Sequence, residues 1–337
     1  MKLIIPMAGR GTRVRPHSHV TPKPLLNVKG RNLVERIVDT FTEVLPRDID
    51  EGVFVLGPDF PDEIREQLRG ICDENDMQAR FAVQETAEGT AHAVQSAGAE
   101  HLQGEGVLVF ADTLFDMEPG VDLEGTDVVA WTKEVDDPRR FGIPERDESG
   151  RITQLVEKPE HPSTNEALIG IYYVDNLAWL KEHIDRLIDD DERGKGGEFQ
   201  LTDAFDRLLQ DGARFETANV THWMDCGTIP ALLDTTGFIL GYEDDDLHRG
   251  EVENCIIHDP VYVGEGAAVK NSVLGPHVSV EAGAEVDGAV LEDSILFRES
   301  KVSGAVLKDS LVGRNAEVRG EAESVNIGDH SVLGKRD

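Results

Sequence analysis

Along roughly the first 240 residues, short blocks of apolar residues alternate with segments of helical periodicity. The apolar runs Leu3-Ile4-Ile5, Val53-Phe54-Val55-Leu56, Phe81-Ala82-Val83, Val107-Leu108-Val109-Phe110, Val128-Val129-Ala130-Trp131 and Ile169-Gly170-Ile171-Tyr172-Tyr173-Val174 predict strands. Between them, Leu33 to Phe41, Ile64 to Leu68 behind a cap at Asp62, and the Ala-rich Thr90 to Ala99 predict helices. Leu177, Leu180, Ile184 and Leu187, at steps of 3, 4 and 3, predict another with one apolar face. Such alternation predicts an α/β domain with a mostly parallel central sheet flanked by helices. In such a sheet, ligands bind beyond the carboxyl ends of the strands.

After about residue 250 the pattern changes. Single β-branched or aliphatic residues recur about six apart: Val263 and Val269, then Leu274, Val280 and Val286, later Val312 and Val318, then Ile327 and Leu333. Glycine follows several of them, and Gly288-Ala289-Val290-Leu291 recurs 16 residues later as Gly304-Ala305-Val306-Leu307. A six-residue period predicts a short left-handed parallel β-helix; an antiparallel β-sandwich with turn glycines is the other reading of the same pattern. In the β-helix each short strand buries one aliphatic side chain, with about 18 residues to a coil and about four or five coils. The expected division is a domain over 1–240, an acidic linker over 241–250 that includes Glu243-Asp244-Asp245-Asp246, and the β-helix over 251–337.

The charge narrows the possible partners. Asp and Glu number 66 against 33 Lys and Arg, a formal net charge of −33. No excess of cations exists to neutralise a polymer of phosphates, which excludes a general nucleic-acid binder and argues against an anionic membrane surface. The acids are scattered rather than gathered in a tail. Together with 39% hydrophobic residues, this predicts a folded protein with a solvated acidic shell, as in cytosolic proteins of halophilic organisms. Three scattered cysteines, Cys72, Cys226 and Cys255, form no disulfide framework and suit a reducing cytoplasmic compartment. The apolar start, Met1 to Pro6, is too short for a signal peptide, and no apolar window is long enough to span a membrane.

Against that acidic background, cations gather where the first strand ends. The loop Ala8-Gly9-Arg10-Gly11-Thr12-Arg13 is followed by Arg15 and then by Thr21-Pro22-Lys23-Pro24-Leu25-Leu26. Glycines let backbone amides approach a phosphate closely, and arginine and lysine complement an anion. The loop is neither a Walker loop nor a dinucleotide fingerprint. A basic surface loop making salt bridges is the other reading of the same residues.

Ala-Gly-Arg-Gly-Thr-Arg with Pro-Lys-Pro-Leu-Leu resembles the signature of the sugar-1-phosphate nucleotidylyltransferases. Further matches follow in that family's order: Gln84 with Glu88-Gly89-Thr90-Ala91, Phe110-Ala111-Asp112, Phe141-Gly142-Ile143, Glu157-Lys158-Pro159, Ile169-Gly170-Ile171-Tyr172 and Trp223-Met224-Asp225-Cys226-Gly227-Thr228. The resemblance spans about residues 3 to 240. It implies attack by a sugar-1-phosphate oxygen on the α-phosphorus of a nucleoside triphosphate, releasing pyrophosphate. It further implies that Arg13 holds the triphosphate, that Lys23 bridges the two phosphates, and that Lys158 holds the sugar phosphate while Glu157 accepts sugar hydroxyls. Asp112 and Asp225 would hold Mg²⁺. Gln84 would read the base, with Ala8, Gly9, Gly11, Thr12, Gly89 and Thr90 around the nucleotide and Gly142, Ile169 and Tyr172 around the sugar. Bringing two polyanions together is mostly positioning and charge neutralisation.

The Ala8 form of the loop looks closer to uridylyltransferases, and Trp-x-Asp-x-Gly-Thr to thymidylyltransferases. The expected nucleotide is therefore UTP or dTTP, with glucose 1-phosphate as the default sugar. Two alternatives stay open: a bifunctional enzyme whose β-helix acetylates an amino sugar, and a non-catalytic regulatory paralogue. Cys226 is expected to be a buried filler, and Asp112 and Asp225 could also cap turns. His92, His258, His277 and His330 are expected at the surface. A homo-oligomer formed through the β-helix or the catalytic domain is expected. If the acidic shell is an adaptation to salt, the melting temperature should rise as KCl is raised to molar concentration; a flat or falling value marks an ordinary acidic protein.

Overall fold

A computed structural model describes residues 1–9, 11–19, 21–243 and 249–320. Arg10, Ile327, His330, Leu333 and most of the acidic stretch after Glu243 therefore lie outside the described residues. The chain forms two compact units: Met1–Leu26 with Arg31–Thr228, and Asn27–Gly30 with Ile229–Asp337.

The strands before residue 228 are β1 (Lys2–Pro6), β2 (Asn27–Val28), β3 (Arg31–Asn32), β4 (Glu51–Leu56), β5 (Gln78–Val83), β6 (Gly106–Val109) and β7 (Thr113–Asp116). They continue with β8 (Val128–Glu134), β9 (Gly142–Arg146), β10 (Ile152–Glu157), β11 (Glu166–Val174), β12 (Phe215–Asn219) and β13 (His222–Asp225). Seven of them form the central sheet of the first unit, in the order β12-β8-β11-β6-β1-β4-β5. The β1–β4, β1–β6, β4–β5 and β8–β12 pairs are parallel, and only β11 runs against its neighbours β6 and β8. Leu3, Ile4 and Ile5 of β1 and Val53 to Leu56 of β4 are buried, as suits inner strands covered on both faces.

The helices are α1 (Leu33–Val44), α2 (Asp62–Glu74), α3 (Thr90–Gln95), α4 (Leu177–Asp189) and α5 (Leu201–Gln210). Helix α1 starts with a capping box: the Glu35 N–H donates to Asn32 Oδ1 (3.0 Å), and the Asn32 N–H donates to Glu35 Oε2 (3.3 Å). Leu177, Leu180, Ile184 and Leu187 are buried together in the core, as their spacing predicts. Two boundaries differ from expectation. Pro61 holds the cap position of α2, and Asp62 is its first helical residue, where its charge favours the helix N-terminus. Helix α3 stops at Gln95 because the Ser96 hydroxyl turns back onto the His92 carbonyl (2.8 Å) and Gly98 adopts φ 87°. Helix α5 was not evident from the sequence. Its Phe205 is fully buried against Tyr172, with ring centroids 4.5 Å apart, and against Phe215.

The second unit holds α6 (Ile229–Tyr242) and a parallel β-helix consistent with the left-handed form. Helix α6 belongs here, so the units part near residue 228 rather than 240. Gly237 packs against the His277 side chain and Gly241 faces Pro260. In the longest of three sheets, Val252, Val269, Val286, Val302 and Val318 stack in register, at steps of 17, 17, 16 and 16 residues. A rung is thus 16–17 residues, shorter than the expected 18. Val263, Val269, Leu274, Val280 and Val286 fill its core as the six-residue pattern predicts, and Val312 joins them. The buried carboxylate of Glu281 accepts from Asn27 Nδ2 (3.1 Å), the Gly30 N–H (3.2 Å) and Ser279 Oγ (2.8 Å). Lys29, also buried, ion-pairs with Glu243 (3.2 Å). Among the described residues no helix is long and apolar enough to cross a membrane.

One carboxyl in the first unit is held at a cost. Burial raises Asp203 on α5 to about 6, and the negative charges of Glu157, Asp206 and Glu192 add to the effect. A carboxyl raised in the folded state contributes stability below its unfolded value, and that contribution is lost as pH rises through about 6. Asp203→Asn should therefore raise the melting temperature near pH 7.5 by about 2–4 °C, after allowance for solvent screening. The gain should close as pH falls from about 6 towards 4; an equal gain at both pH values would rule out this origin.

Candidate active site

One cavity of about 1240 Å³ lies in the first unit, beyond the carboxyl ends of β1, β5 and β6. Its lining includes Ala8, Gly9, Gly11, Thr12, Arg13, Lys23, Gln84, Gly89, Thr90, Asp112, Gly142, Glu157, Lys158, Ile169, Tyr172 and Asp225. Every residue to which the family resemblance assigns a role is therefore brought to the same space. Arg15 is exposed and does not line it, so the cation cluster at the end of β1 is looser than expected.

The loop after β1 is shaped around Lys23. Gly11 adopts φ 55°, and a Cβ there would come within 3.0 Å of Lys23 Cβ and 3.2 Å of Ser18 Cβ, so only glycine fits without strain. Lys23 is only 7% exposed. Its Nζ donates to the Asp112 carbonyl at 3.3 Å and lies 3.5 Å from Asp112 Oδ2. The lysine thus ties the end of β1 to the end of β6 while keeping its ammonium beside the cavity. Arg13 stands exposed on the turn Thr12–Val14.

Asp112 and Asp225 are assembled by a two-stranded ribbon. β7 and β13 pair antiparallel, with Thr113 opposite Asp225 and Phe115 opposite Trp223. The Cys226 N–H donates to the Asp112 carbonyl (3.0 Å), closing the ribbon and setting the two acids at one end of it. Asp225 Oδ1 also accepts from the Gly227 N–H (2.6 Å), so it caps this turn. Cys226 is buried, as a filler would be. Two buried polar atoms on the same ribbon, Thr113 Oγ1 and Trp223 Nε1, have no hydrogen-bond partner among the described residues, and both residues line the cavity. Two carboxylates form a donor set suited to a hard cation that takes its other oxygens from phosphates and water. Among the described residues no group of three or more His, Cys, Asp or Glu side chains could hold a metal by itself.

Glu157 ends β10 opposite Gly142 of β9. Its Oε1 pairs with Lys158 Nζ (3.0 Å), and its Oε2 accepts from Thr202 Oγ1 (2.7 Å). Lys158 adopts φ 45°, unusual outside glycine, with its N–H bonded to the Phe141 carbonyl (2.9 Å). Tyr172 is buried beside them; burial, with the Glu157 charge, pushes its hydroxyl pKa up, while a hydrogen bond with Thr202 opposes the rise. Thr202 was not picked out from the sequence, because nothing in a lone threonine at the start of α5 marks it. Arg139 and Arg140 also line the cavity. They could have been found as a basic pair placed just before Phe141-Gly142 in an acidic chain.

Gly89 and Thr90 serve the scaffold. Gly89 has φ 120°, and a Cβ there would lie 2.4 Å from the Phe199 carbonyl oxygen. The backbone pairs Phe199 N–H to Glu88 O (2.8 Å) and Ala91 N–H to Phe199 O (2.9 Å) depend on that approach. Thr90 Oγ1 accepts from the Leu201 N–H (2.8 Å) and so holds the first turn of α5. Gln84 is 6% exposed, and its Nε2 lies 3.0 Å from His92 Nδ1. His92 is half-buried and engaged, contrary to the expectation of a surface residue. His258 is exposed, and His277 pairs with Asp293 (2.9 Å).

Residues 2–241 match the family model described as "Nucleotidyl transferase". A low-salt glycan biosynthesis nucleotidyltransferase of Haloferax volcanii is 30% identical over 330 residues, covering 90% of this chain and 89% of that protein. A glucose-1-phosphate thymidylyltransferase of Streptomyces antibioticus is 26% identical, covering 90% of this chain and 88% of its own. The bifunctional protein GlmU of Methanococcus aeolicus is 27% identical over 80% of this chain, which spans 62% of that protein. A crystal structure of UDP-glucose pyrophosphorylase complexed with UDP-glucose shares the fold, with a TM-score of 0.59 and 19% identity, covering 72% of this chain and 99% of that one. With a match over residues 2–241 and cations and carboxylates around one cavity, the chain belongs to the nucleotidyl transferase family.

Proposed function

We propose that the protein transfers a nucleoside monophosphate from UTP or dTTP to a sugar 1-phosphate, with glucose 1-phosphate as the first sugar to test, giving a nucleoside-diphosphate sugar and pyrophosphate. The observation that carries this reading is the meeting, around one cavity, of Lys23 and Arg13 with the paired carboxylates Asp112 and Asp225 and with the Glu157–Lys158 pair. The thymidylyltransferase relative supports the nucleotide and the sugar.

In this reading Arg13 binds the triphosphate and Lys23 faces the α-phosphate and the attacking oxygen. Lys23 needs little rearrangement, since its stem is already buried and its ammonium already lies beside Asp112. Lys158 takes the sugar phosphate. Glu157, held by Thr202, accepts sugar hydroxyls. Gly9 leaves room for the base, since a Cβ there would meet no protein atom within 4 Å. Asp112 and Asp225 would hold Mg²⁺, which when bound neutralises phosphate charge and favours in-line displacement. The reacting groups need no general base of their own, because the attacking phosphate oxygen is already ionised.

The expected homo-oligomer is assigned to the β-helix. Ile256, Val273, Val290 and Val306 form a ladder on its outer face, with Ile256 58% and Val306 79% exposed. The acidic surface is assigned to a salt-rich cytoplasm.

Pyrophosphate release should be measured for UTP, dTTP, CTP, ATP and GTP against several sugar 1-phosphates, with Mg²⁺ in molar KCl. Turnover should be highest with UTP or dTTP; a purine preference overturns the pyrimidine assignment. Asp112→Ala and Asp225→Ala should each lower kcat at least about 100-fold. Near-normal rates in either variant would remove that residue from the metal site.

A further inference from the structure

We propose that His92, acting through Gln84, selects nucleobases that carry an N–H at the central position of their pairing edge. The inference rests on the nucleotide reading above and deepens it. The Gln84 backbone is anchored where β5 ends, its N–H donating to the Leu56 carbonyl (2.8 Å). Its side chain is almost wholly buried and lines the cavity. A primary amide is two-faced, with two N–H donors on one side and a carbonyl acceptor on the other. Which side meets a ligand is decided by what holds the opposite side.

Here that partner is His92 Nδ1, 3.0 Å from Gln84 Nε2. His92 sits in α3 one turn after Gly89, and its carbonyl accepts from both the N–H (3.0 Å) and the hydroxyl (2.8 Å) of Ser96, which fixes the ring's origin. With the imidazole proton on Nε2, Nδ1 offers a lone pair and accepts from the amide. The carbonyl Oε1 of Gln84 is then left for the ligand; among the described residues no hydrogen bond from the protein to it is formed. An acceptor fixed at this place favours uracil and thymine, whose N3 carries a proton, and guanine, whose N1 does. It disfavours cytosine and adenine, which present a lone pair at the same place. A buried amide turned the wrong way leaves two acceptors facing each other, a penalty that discriminates more strongly than shape alone. His92 is therefore a positioning residue: it fixes Gln84 and need not touch the nucleotide.

The test compares His92→Lys, His92→Phe and His92→Gln with the wild type. Each is assayed for kcat/KM with UTP, dTTP, GTP, CTP and ATP at saturating sugar phosphate, and each is checked for an unchanged melting temperature. Lysine only donates, so it draws Oε1 towards itself and turns the NH₂ into the cavity. Phenylalanine gives no partner and introduces no charge. Glutamine can still accept. The ratio of kcat/KM for UTP over CTP should fall about 100-fold in His92→Lys and about tenfold in His92→Phe. The change should lie in KM, with kcat nearly constant. His92→Gln should keep most of the wild-type ratio, which a purely structural role for the imidazole would not predict.

Ratios that stay at the wild-type value in folded His92→Lys and His92→Phe overturn the inference while leaving the pyrimidine reading intact. A wild-type preference for GTP overturns the pyrimidine reading and leaves the inference standing. A wild-type preference for CTP or ATP overturns both.

Discussion

The first unit is organised around one of its buried cations, Lys23. Lys23 lies within a chain of net charge −33, yet its ammonium reaches only the carbonyl and carboxylate of Asp112 among the partners described. This contact joins the loop after β1 to the end of β6. From Asp112 the chain enters β7, and β7 sets the register of β13, so the position of Asp225 follows from that of Asp112. Gly11 must lack a side chain because the Lys23 stem fills the space. The loop, the ribbon and both acids thus share one anchor. A charge buried without a partner would be costly, and here the carboxylate that partners it also faces the cavity.

The general acidity and the local basicity are complementary. An acidic outer surface keeps the protein soluble but repels anionic substrates at a distance, and salt shortens the reach of that repulsion to a few ångströms. At close range only the lining matters, and Arg13, Lys23, Arg139, Arg140, Lys158 and Lys195 all contribute to it. Net charge therefore says little about what enters the cavity, though it does bear on polymeric partners that must lie along the surface.

Much of this was legible in the sequence because the signals were local. The inner strands read as apolar runs, and α4 read as a 3-4-3 spacing, because burial there follows directly from side-chain character. Lys23 was visible as a cation between prolines at a strand end. Other features depend on distant partners and leave no local mark. Thr202 matters only because α5 carries it to Glu157, 45 residues away in sequence. Thr90 lines the cavity, and that its hydroxyl also holds Leu201 leaves no local mark in the sequence. His92 read as a surface histidine because periodicity cannot show that Gln84 lies opposite it. Helix α6 read with the first domain because its amino acids do not reveal that His277 and Pro260 lie beside it.

The rungs of the β-helix illustrate a different economy of construction. Each inner valine of the stack, Val269, Val286 and Val302, lies in register with the equivalent residue one rung before and one rung after, and the repeat tolerates both 16- and 17-residue steps. Nothing in one rung specifies how many others exist. The solenoid can therefore lengthen or shorten by whole turns over evolutionary time, like a column built from interchangeable drums. Such changes leave untouched the cavity of the first unit, whose lining comes from that unit alone.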